Sequence, residues 1–218
     1  VKYAVVEVPI SIVIALVLAV FLNKKLKGRE DFRTIMFLPM IVAPAAVAMV
    51  WKWLYNSNFG LINNVFGIKV NWISNPDIAI YSIAVIGIWS VIGYNMVLFL
   101  AGLQEVPRDY YEAAALDGAS GVQQFFRITV PLISPTIFFV LVTRIIAAMQ
   151  VFDLIYMIID YNNPALKKTE SLVYLFYKYS FEQSKKGYGA TVIVVLLAVI
   201  MVLTVFQLIG QKKWVHYD

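Results

Sequence analysis

Five apolar runs, each close to the length of a membrane-crossing helix, constrain this chain more than any other feature. They cover about Val1 to Leu22, Thr34 to Tyr55, Asp77 to Leu103, Pro135 to Ile159 and Ala190 to Gly210. A helix needs about 20 apolar residues to cross a hydrocarbon layer roughly 30 Å thick. The pattern therefore predicts an all-α integral membrane protein with about five spans. Buried helices of a large soluble protein are the competing reading. Only 14% of the residues are charged, too few to cover a soluble surface.

The remaining composition excludes several classes. Cysteine is absent, so a disulfide framework, a cysteine metal site and a thiol nucleophile are excluded. The net charge of +5 sits in loops between apolar runs, which fits membrane orientation better than nucleic-acid binding. The chain opens on Val1, inside an apolar run, with no signal-peptide start ahead of it. A natural start upstream, with at least one further span, is expected.

Helix punctuation sets the boundaries. Asn75-Pro76 reads as N-cap and first residue of the third span, and Ser134-Pro135 as the same for the fourth. Pro39 and Pro44 predict a kink or break in the second run, and Gly210 closes the fifth. Lys24, Lys25, Lys27, Arg29 and Arg33 place the first loop in the cytoplasm; the loop Asn56 to Pro76, with only Lys69, reads as external. Alternation puts Gln104 to Ser134 and the tail inside, and Asp160 to Gly189 outside, although that last loop holds five lysines. Thr169 to Phe181 is expected as a short amphipathic helix on the outer surface, or as an aromatic interface belt. His216 reads as part of a polar terminus.

The segment 104–134 is a polar, Gly- and Pro-punctuated stretch between two greasy runs. Pro107 suits a first helical position, and Asp109 complements the positive helix end. Glu112 to Asp117 is alanine-rich and strongly helical. Gly118 suits the left-handed residue past a helix end, and Ser120 with Gln123 forms a capping-box pattern for a second helix. Pro131 and Pro135 end it. Two short helices at an angle follow, presenting small side chains (Ala113, Ala114) and two carboxylates (Glu112, Asp117) to a partner.

These residues resemble a known pattern. Glu112-Ala113-Ala114, Gly118, Ile128 and Pro131-Leu132 are similar to the loop signature of permease subunits of binding-protein-dependent ABC importers. Asp117-Gly118-Ala119-Ser120 looks most like the sugar branch, that of the maltose and glycerol-phosphate permeases. Lys27-Gly28-Arg29, Phe32-Arg33-Thr34, Phe37-Leu38-Pro39, Trp51 to Tyr55 with Phe59-Gly60, and Phe181 with Gly187 to Ala190 extend the resemblance over essentially the whole chain.

The resemblance implies a type I ABC importer permease bundle: one transmembrane domain over 1–218, with 104–134 as cytoplasmic coupling loop, in a prokaryotic plasma (inner) membrane. Glu112, Ala113, Ala114, Asp117 and Gly118 would then dock in a cleft of a separate ATPase. The implied partners are a second permease, similar or identical, two cytoplasmic ATPase subunits, an extracytoplasmic solute-binding protein and a sugar or oligosaccharide. The chain has no G-x-x-x-x-G-K-[ST] loop, so ATP and Mg are expected on the partner ATPase, with no cofactor on this chain and no catalysis by it.

Polar groups inside spans are expensive in lipid and face a bundle interior or cavity. Trp89, Tyr94, Asn95, Arg144, Gln150, Asp153 and Tyr156 are therefore the candidates for a substrate pathway, combining hydrogen-bonding groups with aromatic faces. Arg144 and Asp153, nine residues apart, are too distant to pair on one helix. A permease for a non-sugar solute, or an ion-coupled carrier using Glu7 or Asp153, stays open on sequence.

Overall fold

The structure is a computed structural model that describes residues 1–24 and 27–216. Lys25 of the basic cluster, and Tyr217 beside His216, lie outside the described residues. The described residues form helices and no strand: α1 Lys2–Asn23, α2 Arg29–Ile41, α3 Pro44–Leu54, α4 Leu61–Phe66, α5 Ala79–Glu105, α6 Arg108–Leu116, α7 Gly121–Gln124, α8 Val130–Leu132, α9 Ser134–Met149, α10 Asp153–Ile158, α11 Leu166–Thr169, α12 Leu172–Tyr177 and α13 Lys186–Gln211. π-helical turns at Phe125–Thr129 and Lys178–Glu182 join α7 to α8 and extend α12.

Among the described residues three helices, α1, α5 and α13, are long and apolar enough to cross a membrane singly. Two bent pairs complete the five expected spans, α2 with α3 at 97° and Gly121–Leu132 with α9 at 68°. Helix α5 is the axis of the fold, with 61% of its most apolar window buried, against 6% for α13. Apolar side chains meet in two clusters. One joins Tyr3 and Val8 of α1 to Ile83 and Ile86 of α5 and to Ile155 of α10. The other joins Ala15 and Leu22 to Met96, Phe99 and Leu103, and to Val140 of α9. Helices α1 and α5 therefore run parallel, as alternating spans require.

Small residues set the helix spacing. A Cβ at Gly93 would collide with the Met36 carbonyl, so α2 crosses α5 backbone to backbone there. At Gly87 it would collide with the Tyr3 hydroxyl.

The outer connections are tied by charge. Lys52 bonds Asp160 at 2.7 Å, Lys168 bonds Asp77 at 2.6 Å and Lys178 bonds Glu170 at 2.8 Å. The loop after α10 thus sits beside the start of α5 and the end of α3, as alternation predicts, and two of its discordant lysines are matched by carboxylates.

Several boundaries differ from expectation. Helix α5 starts at Ala79: Asn75 makes a turn instead, its Oδ1 accepting the Asp77 N–H at 2.9 Å. Ser134 is the first residue of α9 rather than its cap, and its Oγ accepts the His216 N–H at 2.9 Å, which anchors the tail. Pro39 stays inside α2, and the chain breaks at Val42 and Ala43, both extended, because a residue preceding proline avoids the helical region. The fourth run breaks at 150–152. Helix α13 begins at Lys186 and passes through Gly210 to Gln211. The 172–182 helical stretch buries Tyr174 and leaves Phe181 exposed.

Candidate functional site

The two helix breaks face one cavity. Pro39, Met40, Val42 and Pro44 from the first break line a space of about 550 Å³ with Gln150, Val151, Phe152 and Asp153 from the second. Tyr3 of α1, Ser90 and Tyr94 of α5, and Thr143 and Arg144 of α9 add polar groups to its wall, and apolar side chains such as Val47 and Val91 fill the rest. Irregular backbone at membrane depth is tolerated where it is buried in protein or lines a cavity. Both breaks therefore lie where such irregular backbone is tolerated, on the wall of one cavity.

Four of the seven pathway candidates line this cavity: Tyr94, Arg144, Gln150 and Asp153. The other three do not. Trp89 stacks edge-on against Trp51 at 5.7 Å. Asn95 is fully buried, and its amide has no hydrogen-bond partner among the described residues. Tyr156 sits one ring behind the wall, stacked on the lining residue Phe152 at 5.2 Å and 3.3 Å from the Tyr177 hydroxyl. Tyr3, Ser90 and Thr143 carried no signal in sequence, because an isolated hydroxyl in an apolar run is unremarkable.

Arg144 is not a free charge. Its Nη2 donates to Glu7 Oε1 at 2.6 Å, and the Glu7 side chain is wholly buried. A lone charge in this setting would cost several kcal/mol, so each residue requires the other. Asp153, by contrast, is exposed to the cavity and has no hydrogen bond or ion pair among the described residues. It opens α10, where a carboxylate complements the helix start.

At the far end of α5 the chain forms a helical hairpin. Helix α6 runs from Arg108, with Pro107 as its N-cap rather than its first residue. It closes in a Schellman motif: Gly118, at φ +77, donates to Ala115 at 3.1 Å, and Ala119 donates to Ala114 at 2.9 Å. The capping box follows, with Ser120 N–H to Gln123 Oε1 at 2.8 Å and Gln123 N–H to Ser120 Oγ at 3.4 Å. The Tyr111 and Thr129 hydroxyls, 3.0 Å apart, hold the two arms together. The helical run passes Pro131 to Leu132 and turns at Ile133. Glu112, Ala113, Asp117 and Gly118 are exposed, Ala114 half-buried. Leu116 is 90% exposed at the tip, an apolar side chain that the sequence pattern did not single out.

The sequence profile of the family described as binding-protein-dependent transport system inner membrane component matches residues 11–215. The chain belongs to that family.

It is a membrane-embedded transport permease, not an enzyme, and its place is the inner membrane. Relatives agree over nearly the whole chain. The probable ABC transporter permease protein YesP of Bacillus subtilis is 36% identical over 99% of this chain and 71% of the relative. The sn-glycerol-3-phosphate transport system permease protein UgpA of Agrobacterium fabrum is 34% identical over 99% of this chain and 74% of its own. The trehalose/maltose transport system permease protein MalF of Thermococcus litoralis is 33% identical over 95% and 71%. In fold, the permease matches the crystal structure of a bacterial ABC transporter involved in the import of the acidic polysaccharide alginate. The TM-score is 0.86 at 22% identity, covering 97% of this chain and 77% of that one. The expected type I permease bundle is thereby borne out.

Proposed function

We propose that this permease forms half of the translocation pathway of an ATP-driven sugar importer. The cavity between the two helix breaks is the half-site through which the sugar passes, and it carries the reading. Its wall supplies hydroxyls (Tyr3, Ser90, Tyr94), an amide (Gln150) and an aromatic face (Phe152), the chemistry that a pyranose ring engages. Support for a sugar cargo comes from the relative named for trehalose and maltose.

The hairpin 104–134 is the coupling loop. Glu112, Ala113, Ala114, Asp117 and Gly118 contact a separate ATPase subunit that binds ATP and Mg, with Leu116 as an apolar anchor. Helix α6 continues the axial helix α5 after a two-residue turn, so a push on α6 is delivered to the centre of the bundle. A second permease completes the pathway across the exposed apolar faces, and an extracytoplasmic solute-binding protein delivers the cargo. A structural neighbour was crystallised with its oligosaccharide-loaded periplasmic protein, which supports that last partner.

The test is ATP hydrolysis by the assembled complex in membranes. Sugar-loaded binding protein should stimulate it several-fold. Hydrolysis indifferent to loaded binding protein would contradict the reading.

A further inference from the structure

The cavity wall carries an uneven charge. Among the described residues Arg144 is the one lysine or arginine that lines it, and Glu7 neutralises it at 2.6 Å from a position of zero exposure. Asp153 is exposed, lines the same space and pairs with no lysine or arginine among the described residues, the start of α10 offsetting its charge only in part. Tyr3 and Tyr94 contribute hydroxyl groups to the wall. The start of α3 also reaches the cavity through Pro44, but proline has no N–H, and Ala46 and Val47 already donate to the Ala43 carbonyl. That terminus offers little to an anion. The wall as built is therefore net negative, with low-dielectric sides that focus the field.

We propose, resting on the sugar-permease reading above, that this cavity favours uncharged or amino-bearing glycosides and disfavours anionic ones, and that Asp153 sets the preference. The claim separates this chain from relatives and structural neighbours whose names carry a phosphate ester or an acidic polysaccharide. A carboxylate or phosphate entering the cavity would meet Asp153 with its charge offset only in part, whereas a neutral sugar can donate its hydroxyls to the free oxygens. An ammonium group would bind there as a direct counter-ion.

The 218 residues hold no cysteine, so once any cysteines elsewhere in the importer are replaced an added thiol reports the field. Ser90→Cys and, separately, Thr143→Cys each place one thiol on the cavity wall of the complete importer in membrane vesicles. Cationic (trimethylammonium)ethyl and anionic sulfonatoethyl methanethiosulfonate then compete for that thiol, each rate being divided by its rate with a free thiol in solution. The normalised cation-to-anion ratio should be about tenfold, the effect of one nearby charge in partly screened surroundings. Asp153→Asn should bring the ratio close to one. A ratio at or below one in the single-cysteine proteins would overturn the proposal. So would a ratio that Asp153→Asn leaves unchanged, or failure of both thiols to react with either reagent. A second arm identifies by mass spectrometry the cargo captured by the cognate binding protein. A neutral or amino sugar supports the proposal, and a carboxylate- or phosphate-bearing sugar overturns it. A captured solute that is no sugar would remove the sugar reading, while the labelling ratio would still report the field.

Discussion

Arg144 and Glu7 are joined at 2.6 Å across 137 positions of sequence, and their ion pair ties the fourth span to the first beside the cavity. Breaking it strands a charge. Glu7→Gln should destabilise the permease by about 3–5 kcal/mol, because the arginine loses the carboxylate that it pairs with in a buried setting. The double variant Glu7→Leu with Arg144→Met should recover most of that loss. Thermal unfolding in detergent, followed by tryptophan fluorescence, measures both. A double variant no better than Glu7→Gln would show that the pair is not the source of the effect.

Gly118 adopts φ +77, and a Cβ added there would meet nothing within 4 Å. Gly118→Ala should therefore cost only the backbone penalty, about 1–2 kcal/mol for a side chain in the left-handed region. Gly118→Asn should cost less, because asparagine tolerates that region. Local hydrogen exchange at Ala115 to Ser120 gives the readout. Equal protection in all three proteins would contradict the Schellman geometry.

Gly93 is a different kind of glycine. Its Cα faces the Met36 backbone, which cannot swing aside as a side chain could. Gly93→Ala should push α2 from α5 and destabilise by at least about 1–3 kcal/mol, the usual cost of overpacking. An alanine that left the unfolding temperature unchanged would mean that the two helices are not in backbone contact.

Much of this was legible in the chain, for physical reasons that differ by feature. The spans could be read because a bilayer fixes their length, and the hairpin because Gly118, Ser120 and Gln123 are local devices whose partners lie within a few residues. The first helix break was half-visible: Pro44 marked it, while Pro39 drew attention to a place where the helix continues. The second break, at 150–152, has neither Gly nor Pro and left no trace. The Glu7–Arg144 pair was hidden because both residues were seen singly and nothing local joins them. Asn95 and Trp89 were named for the pathway by chemistry alone; neither lines this cavity, Asn95 being buried and Trp89 set against Trp51.

The outer loop offers a pH test. Lys168 holds the exposed Asp77 carboxyl below its usual 3.8, first through its hydrogen bond and then through its charge. A depressed carboxylate contributes stability above its unfolded pKa and loses it as pH falls through the folded one. The tether between α11 and the start of α5 should therefore hold at neutral pH and release only below about pH 4. It should also weaken in high salt, since both partners are exposed. Proteolytic cleavage within 160–170 reports it. Asp77→Asn should show the acid-released pattern already at pH 7, and a variant cleaved no faster than wild type at pH 7 would contradict the assignment.

The coupling hairpin makes a prediction that separates binding from transport. Glu112→Ala removes one exposed carboxylate and lengthens an alanine run that favours the helix, so folding should be unaffected. Transport should fall by at least tenfold, while binding-protein capture of sugar persists. Leu116→Ser should act in the same direction by removing the apolar tip.

The central claim is that this permease moves sugar only when an ATPase drives it, and uptake into proteoliposomes tests that most directly. The full-length protein with its partner permease, ATPase subunits and loaded binding protein should accumulate sugar when ATP is inside, and should stop when the ATPase is left out. Uptake by this permease alone, driven by a proton or sodium gradient, would contradict the account.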